Sequence, residues 1–176
     1  MSTAADPDYA ELHCVSNFSF LHGASHPEEL VRQAAALGYR ALALTDECSL
    51  AGAVRAHVAA QAGDCRLIVG TALQLDDGLR VVLLVPDAAG YAVLSRLVSH
   101  GRRRCAKGQY SLTRADLATA ARSSLLALWL PGFTPDEEIG RWVATHFAGR
   151  AWLAVERFYE GDDLSRLREL DALGAT

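Results

Sequence analysis

The stretch Glu11–Pro27, ELHCVSNFSFLHGASHP, constrains the chain more than any other. A short strand around Leu12 delivers His13 and Cys14 to its end. The apolar run Phe18, Phe20 and Leu21 then leads to a His22-Gly23 turn. Ser25-His26-Pro27-Glu28 follows with the form of a capping box, Ser25 as N-cap and Glu28 reaching back. Pro27 fits the first turn, where its missing N–H would be unpaired anyway. Ligand-type side chains at a strand mouth, then a glycine turn and a capped helix, are how α/β folds build sites. Val15 interrupts this pattern, because a metal site would want a second imidazole two residues after His13.

The same alternation runs through the rest of the chain. Leu30, Val31, Ala34, Ala35 and Leu37 form a helical stripe that stops at Gly38. Ala41–Thr45 is a continuous apolar run of the kind that is buried on both faces of a parallel sheet. It opens onto Asp46-Glu47-Cys48-Ser49, with Ser49 placed to cap a helix through about Gln61. Arg66–Leu75 reads as a third strand, Asp76-Asp77-Gly78 as a hairpin turn and Leu79–Val85 as its antiparallel return. Pro86-Asp87 opens a helix through about His100, and the basic stretch Gly101–Gly108 interrupts the pattern. Thr113 with Asp116 caps a short helix, and Leu125–Leu130 is a buried strand. Pro135-Asp136-Glu137-Glu138 starts a helix with acids matched to its dipole. Ala151–Val155 and Leu164–Leu173 supply one more strand and helix. Strands alternating with helices predict a parallel α/β sheet or barrel with one hairpin excursion. A barrel ending after a helix lacks its closing strand, so the sequence is expected to be the front part of a longer polypeptide.

The 176 residues allow one domain with a sizeable core, and 51% hydrophobic against 22% charged residues argues against disorder. A net charge of −4 does not suit a free-standing nucleic-acid binder. No apolar run approaches the ~20 residues that cross a bilayer, and the small, acidic opening MSTAADPDYA lacks the form of a signal peptide. A cytoplasmic protein without a membrane partner is expected. Cys14, Cys48, Cys65 and Cys105 form no CxxC pair and read as small, mostly buried residues, although Cys14 and Cys48 flank the candidate site.

In an α/β barrel the reactive groups sit at the carboxyl ends of strands. Here those ends offer His13 with Cys14, Asp46 with Glu47, and Thr71 beside Gly70, with His22 in the loop after the first strand. His13, His22, Asp46 and Glu47 are therefore the candidate ligands of a hydrolytic metal centre, which needs carboxylates and imidazoles bridging cations ~3.5–4 Å apart. Hydrogen-bonded polar residues at a strand mouth are the alternative. His57 reads as an exposed or core-edge imidazole. His100, Arg102, Arg103, Arg104 and Lys107 form a basic cluster suited to phosphates or to docking on another domain. No G-x-x-x-x-G-K-[ST], G-x-G-x-x-G or G-x-S-x-G motif is present, so nucleotide-loop and serine-hydrolase chemistry lack support.

The run ELHCVSNFSFLHGASHPEELVRQAAALGYRALALTDECSLAG, with the later GRRRCAKGQYSLTRADL, resembles the amino-terminal PHP (polymerase and histidinol phosphatase) domain of C-family bacterial DNA polymerases. Within that family it is most similar to the error-prone subgroup encoded in damage-inducible mutagenesis cassettes. The resemblance implies a distorted (β/α)7 barrel, incomplete here, with residues 1–176 its N-terminal part and the polymerase domains beyond Thr176. It implies a mouth that holds up to three metals in active members. His13 matches the first histidine of the family's H-x-H, and Val15 stands where the second belongs. His22 replaces an aspartate, Glu47 the histidine of T-D-H, Ala72 a glutamate, and Arg80 aligns with a further histidine. Valine and alanine donate nothing to a metal. An arginine ~4 Å from a divalent cation repels it by several kcal/mol even at an effective dielectric near 20.

By resemblance, the segment is thus a catalytically degenerate docking platform of an error-prone DNA-directed DNA polymerase in damage tolerance and SOS-type mutagenesis. No catalytic residue and no cofactor are expected in it, beyond weak residual Zn2+ or Mn2+ at His13, His22, Asp46 and Glu47; the parent polymerase would use Mg2+. Implied partners are the polymerase core of the same chain, DNA, an inactive Y-family-like polymerase subunit and a RecA-like accessory protein. The rival readings are a working metal-dependent phosphoesterase or 3′–5′ exonuclease, and a DNA- or partner-binding module acting through Arg102, Arg103, Arg104 and Lys107.

Overall fold

A computed structural model describes residues 9–156 and 163–174. The opening residues 1–8, part of the stretch in which no signal peptide is read, lie outside the described residues. The chain divides into two compact units, Met1–Thr71 and Ala72–Thr176. Among the described residues no helix is long and apolar enough to cross a membrane.

In the first unit β1 (Ala10–Cys14), β2 (Ala41–Leu44) and the start of β3 (Arg66–Gln74) lie side by side, β1 parallel to β2 and β2 parallel to β3. All four residues of β2 are buried, as a central strand covered on both faces requires. Helices α1 (Pro27–Ala36) and α2 (Ala53–Ala60) form the connections. Val31, Ala34, Leu42, Leu44, Ala56 and Cys65 form the core, burying the α1 stripe against the sheet. Leu37, expected on that stripe, is instead the exposed C-cap residue of α1, and Gly38 follows in the left-handed region at φ +76°.

Two helix starts differ from the sequence expectation. Pro27 occupies the first helical position, so His26 is the N-cap, and its N–H donates to the Glu29 carboxylate at 2.8 Å. The box therefore sits one residue later than Ser25/Glu28, and Glu28 is left to pair with Arg55 at 2.5 Å. Ser49 does not cap α2. Its hydroxyl accepts from the Ala51 N–H at 3.2 Å, forming a local turn, and the helix starts later, with Gly52 as N-cap. A Cβ at Gly52 would stand 2.9 Å from the Leu44 and Pro27 side chains, which explains the glycine there.

In the second unit the end of β3 turns through Asp76-Asp77-Gly78, Gly78 at φ +88°, into β4 (Arg80–Leu84). The Leu75 N–H donates to the Leu79 carbonyl at 2.8 Å across this turn. Strand β4 runs antiparallel to β5 (Leu126–Trp129), and β5 runs parallel to β6 (Ala151–Leu153), so β4 is the reversed strand that the hairpin signal predicts. Helix α3 (Ala88–Arg103) is capped by Asp87, whose carboxylate accepts from the Gly90 N–H. It continues through Gly101-Arg102-Arg103, where the sequence suggested a break. Gly101 is buried with the Leu112 side chain lying 2.9 Å from where a Cβ would be, so this glycine serves packing and does not end the helix. Helix α4 (Arg114–Ala120) carries both halves of the expected Thr113/Asp116 box. Helix α5 (Glu137–His146) starts at its Asp136 cap as expected, and α6 (Asp163–Gly174) completes the described elements.

Candidate functional site

The site builds outward from Asp46, just past the end of β2. Its side chain is 1% exposed and its carboxylate is surrounded by donors from the loop after β1. The Ser16 N–H donates to Oδ1 at 2.7 Å, the Ser16 hydroxyl to Oδ2 at 2.8 Å and the Ser19 hydroxyl to Oδ1 at 2.7 Å. The Ser19 oxygen also accepts the Glu47 N–H at 2.9 Å, tying the next residue into the same network. The Thr71 hydroxyl, inside β3 and not at its end as the sequence suggested, donates to the Asp46 carbonyl at 2.6 Å and accepts from the Ser49 N–H at 3.1 Å. Ser16, Ser19, Thr45, Asp46 and Thr71 are all buried, so these bonds are made in a setting shielded from water. Gly23 is required by the same loop, because a Cβ there would lie 2.1 Å from the Ser16 carbonyl oxygen.

Above this buried network sits an exposed pair. His22 Nδ1 lies 3.4 Å from Glu47 Oε2, with side chains 66% and 37% exposed. Each member adjoins a left-handed residue that is not glycine: Leu21 at φ +66° before His22, and Cys48 at φ +42° after Glu47. Such backbone is held only where surrounding contacts over-determine it, and the Ser16/Ser19 bonds to Asp46 provide those contacts. The turn leaves Phe20 and Leu21 83% and 89% exposed.

His13 is half-buried on β1, and its N–H donates to the Glu11 carboxylate at 2.9 Å. Val15 is half-buried beside it. Burial, with the Glu11 and Asp46 carboxylates adding to it, pushes the Cys14 thiol up to about 11, which opposes a thiolate ligand. Cys48 is buried. Ala72 and Arg80 belong to the second unit, Ala72 half-buried in β3 and Arg80 exposed at the start of β4. The structure therefore brings His22 and Glu47 together and gives Asp46 to Ser16 and Ser19. The sequence reading missed those two serines, which stand in a loop without a recognisable motif of their own.

This donor set does not fit a metal cluster. Among the described residues no group of three or more His, Cys, Asp or Glu side chains is arranged to hold a metal ion. The one fully buried carboxylate at the site already accepts three hydrogen bonds. A groove of about 730 Å³ in this unit lies elsewhere, between α1 and α2, lined by Val31, Val54, Val58, Glu28 and Arg55.

The basic run is placed in the second unit. Arg104 reaches Asp116 with both terminal nitrogens, at 2.6 and 3.1 Å, and His100 Nε2 lies 3.3 Å from the same carboxylate. Arg102 donates to the Gly108 carbonyl at 3.2 Å and lies 5.2 Å from the centre of the Tyr110 ring. Arg103 and Lys107 are exposed.

Comparison with known proteins bears on the fold and the family. The chain is 51% identical over 174 residues to an error-prone DNA polymerase of Methylococcus capsulatus, covering 99% of this chain and 17% of that protein. It is 52% identical over 169 residues to one of Pseudomonas paraeruginosa, covering 95% of this chain and 16% of that protein. The chain thus spans about a sixth of the length of these curated relatives. Among solved structures it resembles a protein described as a metal-dependent phosphoesterase from Bifidobacterium adolescentis, with TM-score 0.69 at 17% identity, covering 96% and 85% of the two chains. It also resembles an amidohydrolase from Chromobacterium violaceum, with TM-score 0.61 at 16% identity, covering 92% and 82%. The PHP domain signature matches residues 11–160, so the chain belongs to the PHP domain family.

Proposed function

We propose that this PHP domain is a catalytically silent platform within an error-prone DNA-directed DNA polymerase that acts in DNA damage tolerance. The parent polymerase would use Mg2+ and DNA, and would work in the cytoplasm. The polymerase core of the same chain would be the domain's partner. The inactive Y-family-like subunit and the RecA-like protein belong to the same reading, through the family resemblance.

One observation carries the silent half of this reading. Asp46, the carboxylate best placed at a strand mouth to take a cation, instead accepts hydrogen bonds from Ser16 and Ser19 inside the protein. A group held this way supports a loop; it does not await a ligand. His22 and Glu47, two of the other three candidates, face each other at the surface. Support for the platform half comes from exposed apolar side chains with structural backing. Phe20 and Leu21 sit on a rigidly tied turn, and Val54 and Val58 line the groove between α1 and α2. Clustered exposed apolar residues mark interaction surfaces.

The test is metal analysis of protein purified without chelator, joined to a 3′–5′ exonuclease assay with added Mn2+ or Zn2+. The platform reading expects metal below one-tenth of an equivalent and no activity above background. Stoichiometric zinc, with nuclease activity lost in His13→Ala, would establish the phosphoesterase instead.

A further inference from the structure

Helix α3 carries its charge as a stripe. Arg96, His100 and Arg103 are spaced four and then three residues apart, so they share one face. With Ser95, Ser99 and Arg104 they line an open groove of about 580 Å³ whose lining includes no Asp or Glu and no Phe, Tyr or Trp, while the Asp116 carboxylate pairs with His100 and Arg104 beside it. The whole chain has a net charge of −4, so this local excess of cations is a segregation of charge and not the composition showing through.

The arginines divide by role. Arg104 is bound in bidentate fashion by Asp116, and Arg102 points away to the Gly108 carbonyl and the Tyr110 ring. These two hold the segment between α3 and α4 in shape. The outward charge falls on Arg96, which the sequence reading did not single out, and on Arg103; both are exposed. Seven residues of helix place their Cα atoms about 10 Å apart along the axis, within reach of separate phosphates of one backbone.

We propose that this face of α3 binds the phosphate backbone of DNA without reading its sequence, Arg96 and Arg103 each contacting one phosphate and the Ser95 and Ser99 hydroxyls donating beside them. Arginine and serine are common donors to phosphate oxygens. No Phe, Tyr or Trp lines the groove, which disfavours base stacking as its mode, and its lining residues are all polar, which disfavours insertion into a lipid surface. The proposal rests on the reading that the chain works within a DNA polymerase.

The experiment uses the full-length polymerase and a fluorescent primer–template duplex, with affinity measured between about 50 and 200 mM salt. Each phosphate contact contributes about 0.9 to the slope of log affinity against log salt. The Arg96→Gln/Arg103→Gln variant should therefore bind with a slope shallower by about 1.8, and Arg103→Gln alone by about 0.9. The Arg96→Lys/Arg103→Lys pair should keep the original slope, and so should Arg141→Gln, which removes an exposed arginine of α5. Unchanged slopes in both glutamine variants overturn the proposal; the single variant decides the matter if the double one does not fold. A polymerase that extends primers with an unchanged slope refutes only this site, whereas a protein that extends no primer refutes the polymerase reading itself.

Discussion

Ser16 holds both oxygens of Asp46 at once, its backbone N–H at 2.7 Å from Oδ1 and its hydroxyl at 2.8 Å from Oδ2, across thirty residues of sequence. This bidentate grip fixes the loop after β1 to the end of β2. Ser19 adds a third bond to the same carboxylate. The loop's geometry, including the exposed Phe20-Leu21 tip and the His22–Glu47 pair, follows from it.

Replacing Asp46 with alanine leaves two buried hydroxyls and a buried N–H without their acceptor. An unsatisfied buried group costs about 1–3 kcal/mol, so Asp46→Ala should lose roughly 3–5 kcal/mol in urea unfolding. Asp46→Asn keeps an acceptor for the Ser16 N–H and should lose less than half as much. Metal content should be the same in both variants and in the parent. A small stability loss together with a change in bound zinc would show that Asp46 serves a cation.

Gly23→Ala tests the same loop through its backbone. The new Cβ would stand 2.1 Å from the Ser16 carbonyl oxygen, and main chain cannot move aside as a flexible side chain can. The expected outcome is a loss of about 2 kcal/mol or more, with faster proteolytic cleavage confined to residues 16–26. Equal cleavage rates in variant and parent would contradict the close approach.

The sequence disclosed the alternation of elements because it rests on local signals. The apolar run at Ala41–Leu44, the Asp-Asp-Gly turn and the Thr113/Asp116 box all stand where the residues place them. What it misplaced depends on choices between near-equivalent local options. Pro27 shifted the α1 cap from Ser25 to His26, and Leu112 made Gly101 a packing position inside α3. At the site, His22 with Glu47 was legible as a set of ligand types. The fate of Asp46 was not, since it depends on serines twenty-seven and thirty residues away whose side chains carry no pattern of their own.

Acid should weaken the second unit through Asp116. Burial raises this carboxyl's proton affinity, but hydrogen bonds from Arg104 and Thr113 outweigh it and hold the group down at about 2. A folded-state value below the unfolded one adds stability that is present above pH ~4 and lost as pH falls towards ~2. Linkage sets this contribution at up to about 2 kcal/mol. Arg104→Gln should flatten the fall in stability between pH 4 and pH 2, measured by urea midpoints. An identical pH profile in the variant would refute the coupling.

Cys14 should be inert while the protein is folded. Its thiol lies near 11 because burial and the Glu11 and Asp46 carboxylates disfavour the thiolate. At pH 8.5 its thiolate population is then roughly a hundredfold below that of a free cysteine. Iodoacetamide followed by mass spectrometry should label Cys14 in urea and leave it almost unlabelled in buffer. Glu11→Gln should speed the folded-state reaction by lessening the negative charge nearby. Rapid labelling of the folded protein would mean an activated thiol and would reopen Cys14 as a metal ligand.

The exposed His22–Glu47 pair separates the two readings of the site most cleanly. A pair this open to solvent, ionic only when His22 is protonated, contributes at most ~0.2–1 kcal/mol, so His22→Ala and Glu47→Gln should each shift the unfolding midpoint little. Both should leave zinc content and exonuclease background unchanged, because neither side chain belongs to a group able to hold a metal among the described residues. Under conditions that protonate His22, salt should screen the pair and lower the parent's stability slightly, and the variants should lose that salt dependence. If instead His22→Ala strips a bound cation and abolishes hydrolysis, the pair is a ligand set. In that case the Ser16 and Ser19 bonds to Asp46 would be the resting state of a working centre.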